Sequence, residues 1–330
     1  MSNVASLDRK PYRVGMLLVP RFSMLAFASA IEAMRMANRL SETTLYEWHT
    51  VGTTRDPVCA SNGIAVTPDC TTSDHQAFDA AFVCSGVDVE RVYDKAHLFW
   101  LRKIAQRKLA IGALCTGTYL LAKADLLDGY RCTIHWENMA SLREEFPNIV
   151  VSAELFEIDR NRYTCAGGTA ALDLFLNLIM RQHSRGLAAN ISEQFICDRI
   201  RGRHDRQRVP LRLHLGSSQP KLIEAVSLME ANIEEPMSLD ELAQAVGVSR
   251  RQLERLFQKY LHCVPTRYYL ELRLARARQL LLQTSMSIVD VAFACGFVSA
   301  PHFSKCYRDY FGVPPREERN RRPGESSQAL

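Results

Sequence analysis

Residues Ser238–Tyr260, SLDELAQAVGVSRRQLERLFQKY, and Ser287–Tyr310, SIVDVAFACGFVSAPHFSKCYRDY, state one pattern twice. The second copy carries one extra residue after its glycine; otherwise the small, apolar and capping positions correspond. Each copy reads as a helix, a tight turn and a second helix. Ser238 and Ser287 suit a helix N-cap, because a serine hydroxyl accepts from a backbone N–H that has no partner inside the helix. Gly247 and Gly296 can take the positive φ that ends that helix. Ser249 and Ser299 cap the helix that follows, and Ala243 and Ala292 are small where two helices must approach. Leu253, Leu256, Phe257 and Tyr260 recur at three- and four-residue spacing and are expected in a core, as are Phe303, Tyr307 and Tyr310. The opposite faces carry Arg250, Arg251, Gln252, Glu254 and Arg255 in the first copy, and Ala300, Pro301, His302, Ser304 and Lys305 in the second. A helix-turn-helix lays this kind of face in a DNA major groove.

One such pair could be any αα-hairpin. Two copies roughly fifty residues apart, joined by an amphipathic helix over 265–283, form a far narrower pattern. Tyr268, Leu272, Ala275 and Leu280 are expected on the buried side of that helix. It would hold two recognition helices in fixed relation, as adjacent major-groove windows about 34 Å apart require. On the run Val291–Ser299, with Phe303–Tyr307 and Tyr310–Pro315, the region 219–318 resembles the AraC/XylS family of transcription regulators. The resemblance implies double-stranded promoter DNA and RNA polymerase as partners. Where many relatives show Gln or Arg in the second recognition helix, this chain has Ala300 and Pro301, which argues against direct base reading there. Pro301 is acceptable at a helix start, where its missing N–H loses nothing.

The whole chain agrees with a two-part reading. Its 330 residues, 47% hydrophobic, are enough for two cored domains. No apolar run approaches the roughly 18–20 residues of a membrane helix, and the first nine residues lack an apolar leader. The ten cysteines form neither a Cys-x-x-Cys pair nor a Cys/His cluster at zinc spacing, so reduced thiols in a cytoplasm, and no metal or cofactor, are expected. Residues 1–180 hold 18 basic and 20 acidic side chains; residues 181–330 hold 23 and 16. A basic second half joined to a near-neutral first half suits a DNA-binding part attached to a sensing part, and suits equally a merely solvated basic face.

The first half alternates. Residues 12–19 read as a buried strand, 24–40 as a helix, 45–53 and 79–84 as strands, 96–107 as a helix and 109–114 as a strand running straight into a helix start at Cys115. A short hairpin is expected around Asn62-Gly63. This alternation predicts a mostly parallel sheet covered on both faces, with ligands outside the carboxyl ends of its strands. Glu32, Gly86 and Cys115 fall at such ends. Glu32, in a stretch otherwise apolar and small, is expected to be buried and to need a partner. Cys115 occupies a strand-to-helix elbow where a helix N-terminus favours a thiolate or a bound anion.

On Glu32, Ser85-Gly86, Ala113–Gly117, Leu120–Ala122, Leu126–Gly129, Thr133–Trp136, Thr164–Gly168 and Leu172–Leu174, residues 10–185 resemble the ThiJ/PfpI, class I glutamine-amidotransferase-like superfamily. The implied fold is a flavodoxin-like parallel-sheet sandwich, followed by an all-α domain with two helix-turn-helix motifs. That order resembles the GlxA-type regulators and implies a dimeric, cytoplasmic regulator, by family default an activator of a catabolic operon, sensing a small metabolite such as an amino acid or a quaternary amine. The effector would lie by Glu32, Gly86, Cys115, Thr116, His135 and Trp136. Peptidase-like relatives usually carry His directly after the elbow Cys; Thr116 stands there instead, and no catalytic residue is assigned. The rival is a Cys-dependent hydrolase or amidase fused to a DNA-binding module, which would need a base within reach of the Cys115 sulfur. The remaining boundaries are a flexible N-terminus 1–9, a basic linker 186–218 containing one further helix over 187–201 and six arginines between Arg199 and Arg212, and a disordered tail 319–330.

Overall fold

The computed structural model describes residues 10–205, 207 and 219–320. The chain divides into two compact units, the first ending at Gln207 and the second beginning at Arg208. The expected N-terminus 1–9, Arg206, residues 208–218 of the expected linker and 321–330 of the expected tail lie outside the described residues.

The first unit is an α/β sandwich. Its elements include β1 (Tyr12–Leu18), α1 (Met24–Ser41), β2 (Tyr46–Gly52), a hairpin of β3 (Val58–Cys59) and β4 (Ala65–Val66), β5 (Cys70–Thr71), β6 (Ala80–Cys84), α2 (Val89–Val92), α3 (Lys95–Ala105), β7 (Ala110–Leu114) and α4 (Thr118–Lys123). There follow β8 (Arg131–Cys132), α5 (Met139–Glu145), β9 (Val150–Val151), β10 (Phe156–Asp159), β11 (Arg162–Cys165), α6 (Ala170–Gln182) and α7 (Arg185–Gln194). The main sheet runs β10-β11-β7-β6-β1-β2-β5, parallel except for the β10–β11 edge pair. Alternation along the strands divides the core. Val14, Met16, Leu18, Phe82 and Cys84 face α1, α6 and α7, while Leu17, Ala81, Val83, Ile111 and Ala113 face α3 and α4. Helix α1 starts on Ser23, whose Oγ accepts from Ala26 N at 3.3 Å, and lies close because Ala26, Ala30, Ala33 and Ala37 line its buried side.

The strands and helices expected from periodicity are present; the β10–β11 edge was not foreseen. Its strands are four residues each and turn through Arg160 at φ +53°, which leaves too little pattern to read.

The linker reading of 186–207 is corrected. Helix α7 ends by Ile196, at φ +56°, rather than at 201, and it packs with α6 and α1. The segment behind it is an arm docked on the sandwich. Arg201 donates from N and Nε to Asp173, both at 2.8 Å, and from Nη2 to Thr169 Oγ1 at 2.7 Å. Leu155 N donates to Arg203 O at 3.0 Å. Gln207 Nε2 lies 2.8 Å from Thr133 Oγ1, 3.0 Å from Ile134 O and 2.9 Å from Glu154 O. Arg199 is taken by Asp205. Arg201 and Gln207 thus tie the arm to the sandwich.

The second unit is all helical: α8 (Pro220–Ala231), α9 (Leu239–Ala245), α10 (Arg250–Leu261), α11 (Pro265–Gln283), α12 (Ile288–Ala294), α13 (Ala300–Phe311) and α14 (Pro315–Asn320). Leu222, Val226, Met229, Leu242, Leu253, Phe257 and Tyr269 form the first core. Val291, Ala292, Phe297, Phe303 and Tyr307 are buried in the second copy. The joining helix α11 runs as expected and Leu280 is buried in it, but the other buried residues are Pro265, Tyr269, Leu274, Ala277 and Leu281, with Ala275 exposed and Tyr268 and Leu272 partly buried against the first core. A helix packed by different elements along its length has no single apolar stripe. Tyr310, expected in the core, is 47% exposed; Phe311 packs on Tyr307 instead, with ring centroids 4.6 Å apart. Residues 319 and 320, given to the tail, belong to α14. Glu318 of that helix is fully buried on Arg278 at 3.0 Å.

Candidate functional site

The helix pairs are set by their serines. Ser238 Oγ accepts from Glu241 N at 3.3 Å while Ser238 N donates to Glu241 at 2.7 Å; Ser249 and Gln252 repeat the exchange at 3.2 and 2.8 Å. Ser287 does the same with Asp290, and Ser299 Oγ accepts from His302 N at 3.4 Å. Gly247 and Gly296 stand at φ +69° and +72°. Both α10 and α13 therefore start abruptly, with their first turns presented outward.

The two starts differ chemically. On α10, Arg250, Arg251, Gln252 and Arg255 are exposed. Arg250 is engaged by Glu254 at 3.1 Å and Asp240 at 3.5 Å, whereas Arg251 and Arg255 have no ion-pair partner among the described residues. On α13, Pro301, His302 and Lys305 are exposed and Ala300 and Ser304 half-buried. His302 Nε2 lies 3.4 Å from Cys306 Sγ, and its ring lies 5.9 Å from that of Phe297. Arg251→Ala is expected to weaken operator binding by about 1–3 kcal/mol and to relax base preference. Titration of operator and random duplexes checks this; an equal loss on both would remove the base-reading role.

One functional residue went unread in the sequence. Arg273 of α11 donates from Nε to Cys295 O at 2.8 Å and from Nη2 to Gly296 O at 2.7 Å, and its guanidinium stacks 4.2 Å over Phe297. It thereby closes the carboxyl end of α12 and fixes the turn that aims α13. A lone arginine in the basic run LRLARARQ carries no local sign of this.

In the sandwich, Gly86, Cys115 and Thr116 come together at the carboxyl ends of β6 and β7: Thr116 Oγ1 donates to Gly86 O at 2.5 Å. Cys115 sits at φ +60°, a strained setting for a residue with a Cβ. Gly167, at φ +90°, passes so close that a Cβ there would overlap Cys115. Of the two alternatives offered by a helix start there, a thiolate or a bound anion, the thiolate is disfavoured. Burial pushes the Cys115 thiol up to about 12, with Cys165 and Glu137 acting in the same direction, so the sulfur keeps its proton.

His135 is half-buried, 5.6 Å ring to ring from Trp136, and Nδ1 lies 3.7 Å from Glu137. Burial lowers the pKa of the imidazole. The backbone N–H of Thr116 is directed at the Cys115 sulfur and opposes the rise, and no hydrogen bond among the described residues joins His135 to that sulfur. Glu32 is a further correction: its carboxylate is 44% exposed and is held by Arg35 one turn on, and no contact among the described residues ties it to Gly86, Cys115 or Thr116. Exposure of that side of α1 relieved the desolvation that would have demanded a distant partner.

Residues of loops and short helical turns that no periodicity marks complete the surroundings. Ser85 is fully buried and its hydroxyl has no partner among the described residues. Arg21 pairs with Asp88. Asn138 Nδ2 lies 3.4 Å from Glu90. Burial raises Glu90 to about 7, with Asp88 and Glu145 adding to the rise. Its proton is held more tightly folded than unfolded, so its stabilising contribution is complete below the ordinary carboxylate range and is lost as pH rises through about 7. Thermal melts between pH 5 and pH 8 should show this loss in the native chain and a flatter profile in Glu90→Gln.

Among the described residues no group of His, Cys, Asp and Glu is placed to hold a metal, and no helix is long and apolar enough to cross a membrane. Residues 242–321 match the model of a helix-turn-helix domain, and residues 20–181 that of the DJ-1/PfpI family. The chain is 56% identical to the HTH-type transcriptional regulator GbdR of Pseudomonas aeruginosa, across 96% of this chain and 86% of that one. It is 32% identical to the HTH-type transcriptional regulator GlxA of Rhizobium meliloti, across 96% and 98%. A solved AraC family transcriptional regulator from Pseudomonas putida superposes with a TM-score of 0.52 at 30% identity, covering 56% of this chain and 100% of its own.

Proposed function

We propose, because this chain belongs to the AraC-type transcriptional regulators that carry an N-terminal DJ-1/PfpI domain, that it is a cytoplasmic, homodimeric activator of a catabolic operon, switched by a small polar metabolite. The observation that carries the sensing role is the joint at Gly86, Cys115 and Thr116, closed by Gly167 at the carboxyl ends of three neighbouring strands, where open α/β sheets take their ligands. Glu137, which acts electrostatically on Cys115, and the indole of Trp136 give the surroundings an acidic and aromatic character that suits a cationic effector, an amino acid or a quaternary amine. His135 would position Trp136 and Glu137. An effector there would bias one of two arrangements of the regulator and so its grip on promoter DNA and its access to RNA polymerase.

The docked arm gives the signal a route. It is bonded to Thr169, two residues beyond Gly167, and to Ile134, next to His135. Melting the full chain with a panel of amino acids and quaternary amines tests the reading, since a ligand of the native state raises apparent stability. A selective rise with one class supports it; no rise with any would leave the sandwich as a dimerisation module. Cys115→Ala is expected to retain effector-dependent transcription, because a protonated, buried thiol does no chemistry. Loss of the response together with a thiol-dependent hydrolytic activity would instead favour an enzyme.

A further inference from the structure

The second recognition helix begins with an apolar surface. Val298, in the turn, is 86% exposed, Pro301 is exposed and Ala300 half-buried. Two polar groups between and beside them have partners within the helix itself. Ser299 Oγ accepts from His302 N, and His302 Nε2 faces Cys306 Sγ. The corresponding start of the first recognition helix is the opposite, with Arg250 and Arg251 exposed beside a half-buried Val248. Residues in the first turn of a recognition helix meet base edges. The one apolar feature a base edge offers in the major groove is the C5 methyl of thymine. A valine left this exposed in water gains by covering such a methyl, and the surface is continuous with exposed Lys305 and Arg308 further along the same helix, which suit the flanking phosphates.

We infer that the second helix-turn-helix reads thymine by its methyl group, through Val298, Ala300 and Pro301, while the first reads by arginine hydrogen bonds. The inference rests on the DNA-binding reading above and goes beyond it in naming the base feature recognised. It makes the two halves of the operator chemically unlike: one window sensitive to base hydrogen-bonding groups, the other to 5-methylpyrimidines.

The test uses the full chain and a duplex obtained by selection from random DNA, footprinted to locate both windows. Each thymine is replaced singly by deoxyuridine, which removes only the methyl. At one to three positions in one window, binding should weaken about three- to tenfold; positions in the other window should change less than twofold. Val298→Ala and Pro301→Ala, both at exposed sites, should bind the unmodified duplex more weakly and lose the sensitivity to deoxyuridine, while Arg251→Ala should keep it. Insensitivity to deoxyuridine throughout a well-defined footprint overturns the inference and leaves the regulator reading intact, as does a sensitivity that both variants retain in full. Failure of the selection to enrich any sequence overturns the regulator reading itself.

Discussion

Arg273→Ala is expected to destabilise the helical unit by about 3 kcal/mol, since two hydrogen bonds from a charged donor to helix-end carbonyls are lost together with the stack on Phe297. For a unit of this size that corresponds to a fall in Tm on the order of 10–20 °C. The carbonyls of Cys295 and Gly296 would lose a charged donor at a helix end, where the helix itself supplies none. The reading surface suffers as well, because Gly296 and Phe297 begin the turn that orients α13. Sequence-specific binding should fall further than stability alone accounts for at 25 °C. Arg273→Lys should recover little, because one ammonium cannot bridge two carbonyls and stack flat on the ring. Melting and duplex titration on both variants check this; a lysine variant that behaves as the native chain would show that charge alone is needed.

Gly86→Ala should be comparably damaging in the sandwich, by about 2–4 kcal/mol. A Cβ at Gly86 would lie within 3.0 Å of three backbone atoms, Arg21 O, Ser23 N and Phe22 C. None of these is the end of a flexible side chain. The β1–α1 loop would have to move away from β6, breaking the Phe22–Gly86 bridge and the bond from Ser23 N to Ser85 O. Because Thr116 is bonded to the carbonyl of the same glycine, loss of effector response is expected along with loss of stability. Far-ultraviolet melts and a reporter assay measure the two together. A variant that melts normally yet ignores effector would make Gly86 a ligand contact rather than a packing contact.

The contrast between these sites marks what the sequence could say. Repeats, caps and strand alternation are local, and Ser238, Ser249, Ser287, Gly247, Gly296 and the β1, β6 and β7 runs announce themselves within a few residues. The elbow at Cys115 was legible for the same reason, as a strand meeting a helix. What stayed hidden depends on partners far along the chain. Arg273 meets a carbonyl more than twenty positions away, Gln207 meets Thr133, and Asn138 meets Glu90. Glu32 was misread because burial was inferred from its neighbours in sequence, whereas a helix buries only one side. Asp173 has no local sign of a partner in the sequence, and only the fold supplies Arg201 as its counter-charge. The Cys115 thiolate failed on magnitude: the pull of a helix end is worth about 1 kcal/mol, while full burial of a thiol opposes ionisation by more.

Helix α11 has a consequence for how such a protein can change. Tyr269 of that helix belongs to the first core, and Leu274, Ala277 and Leu281 are buried further along it. Each residue added to or removed from a helix turns everything beyond it by about 100° and shifts it by about 1.5 Å. A one-residue insertion between Tyr269 and Leu274 would therefore swing one group of contacts into solvent. Small adjustments of the distance between the two reading heads are closed to this architecture, and new target sites must be acquired by altering side chains on a ruler of fixed length.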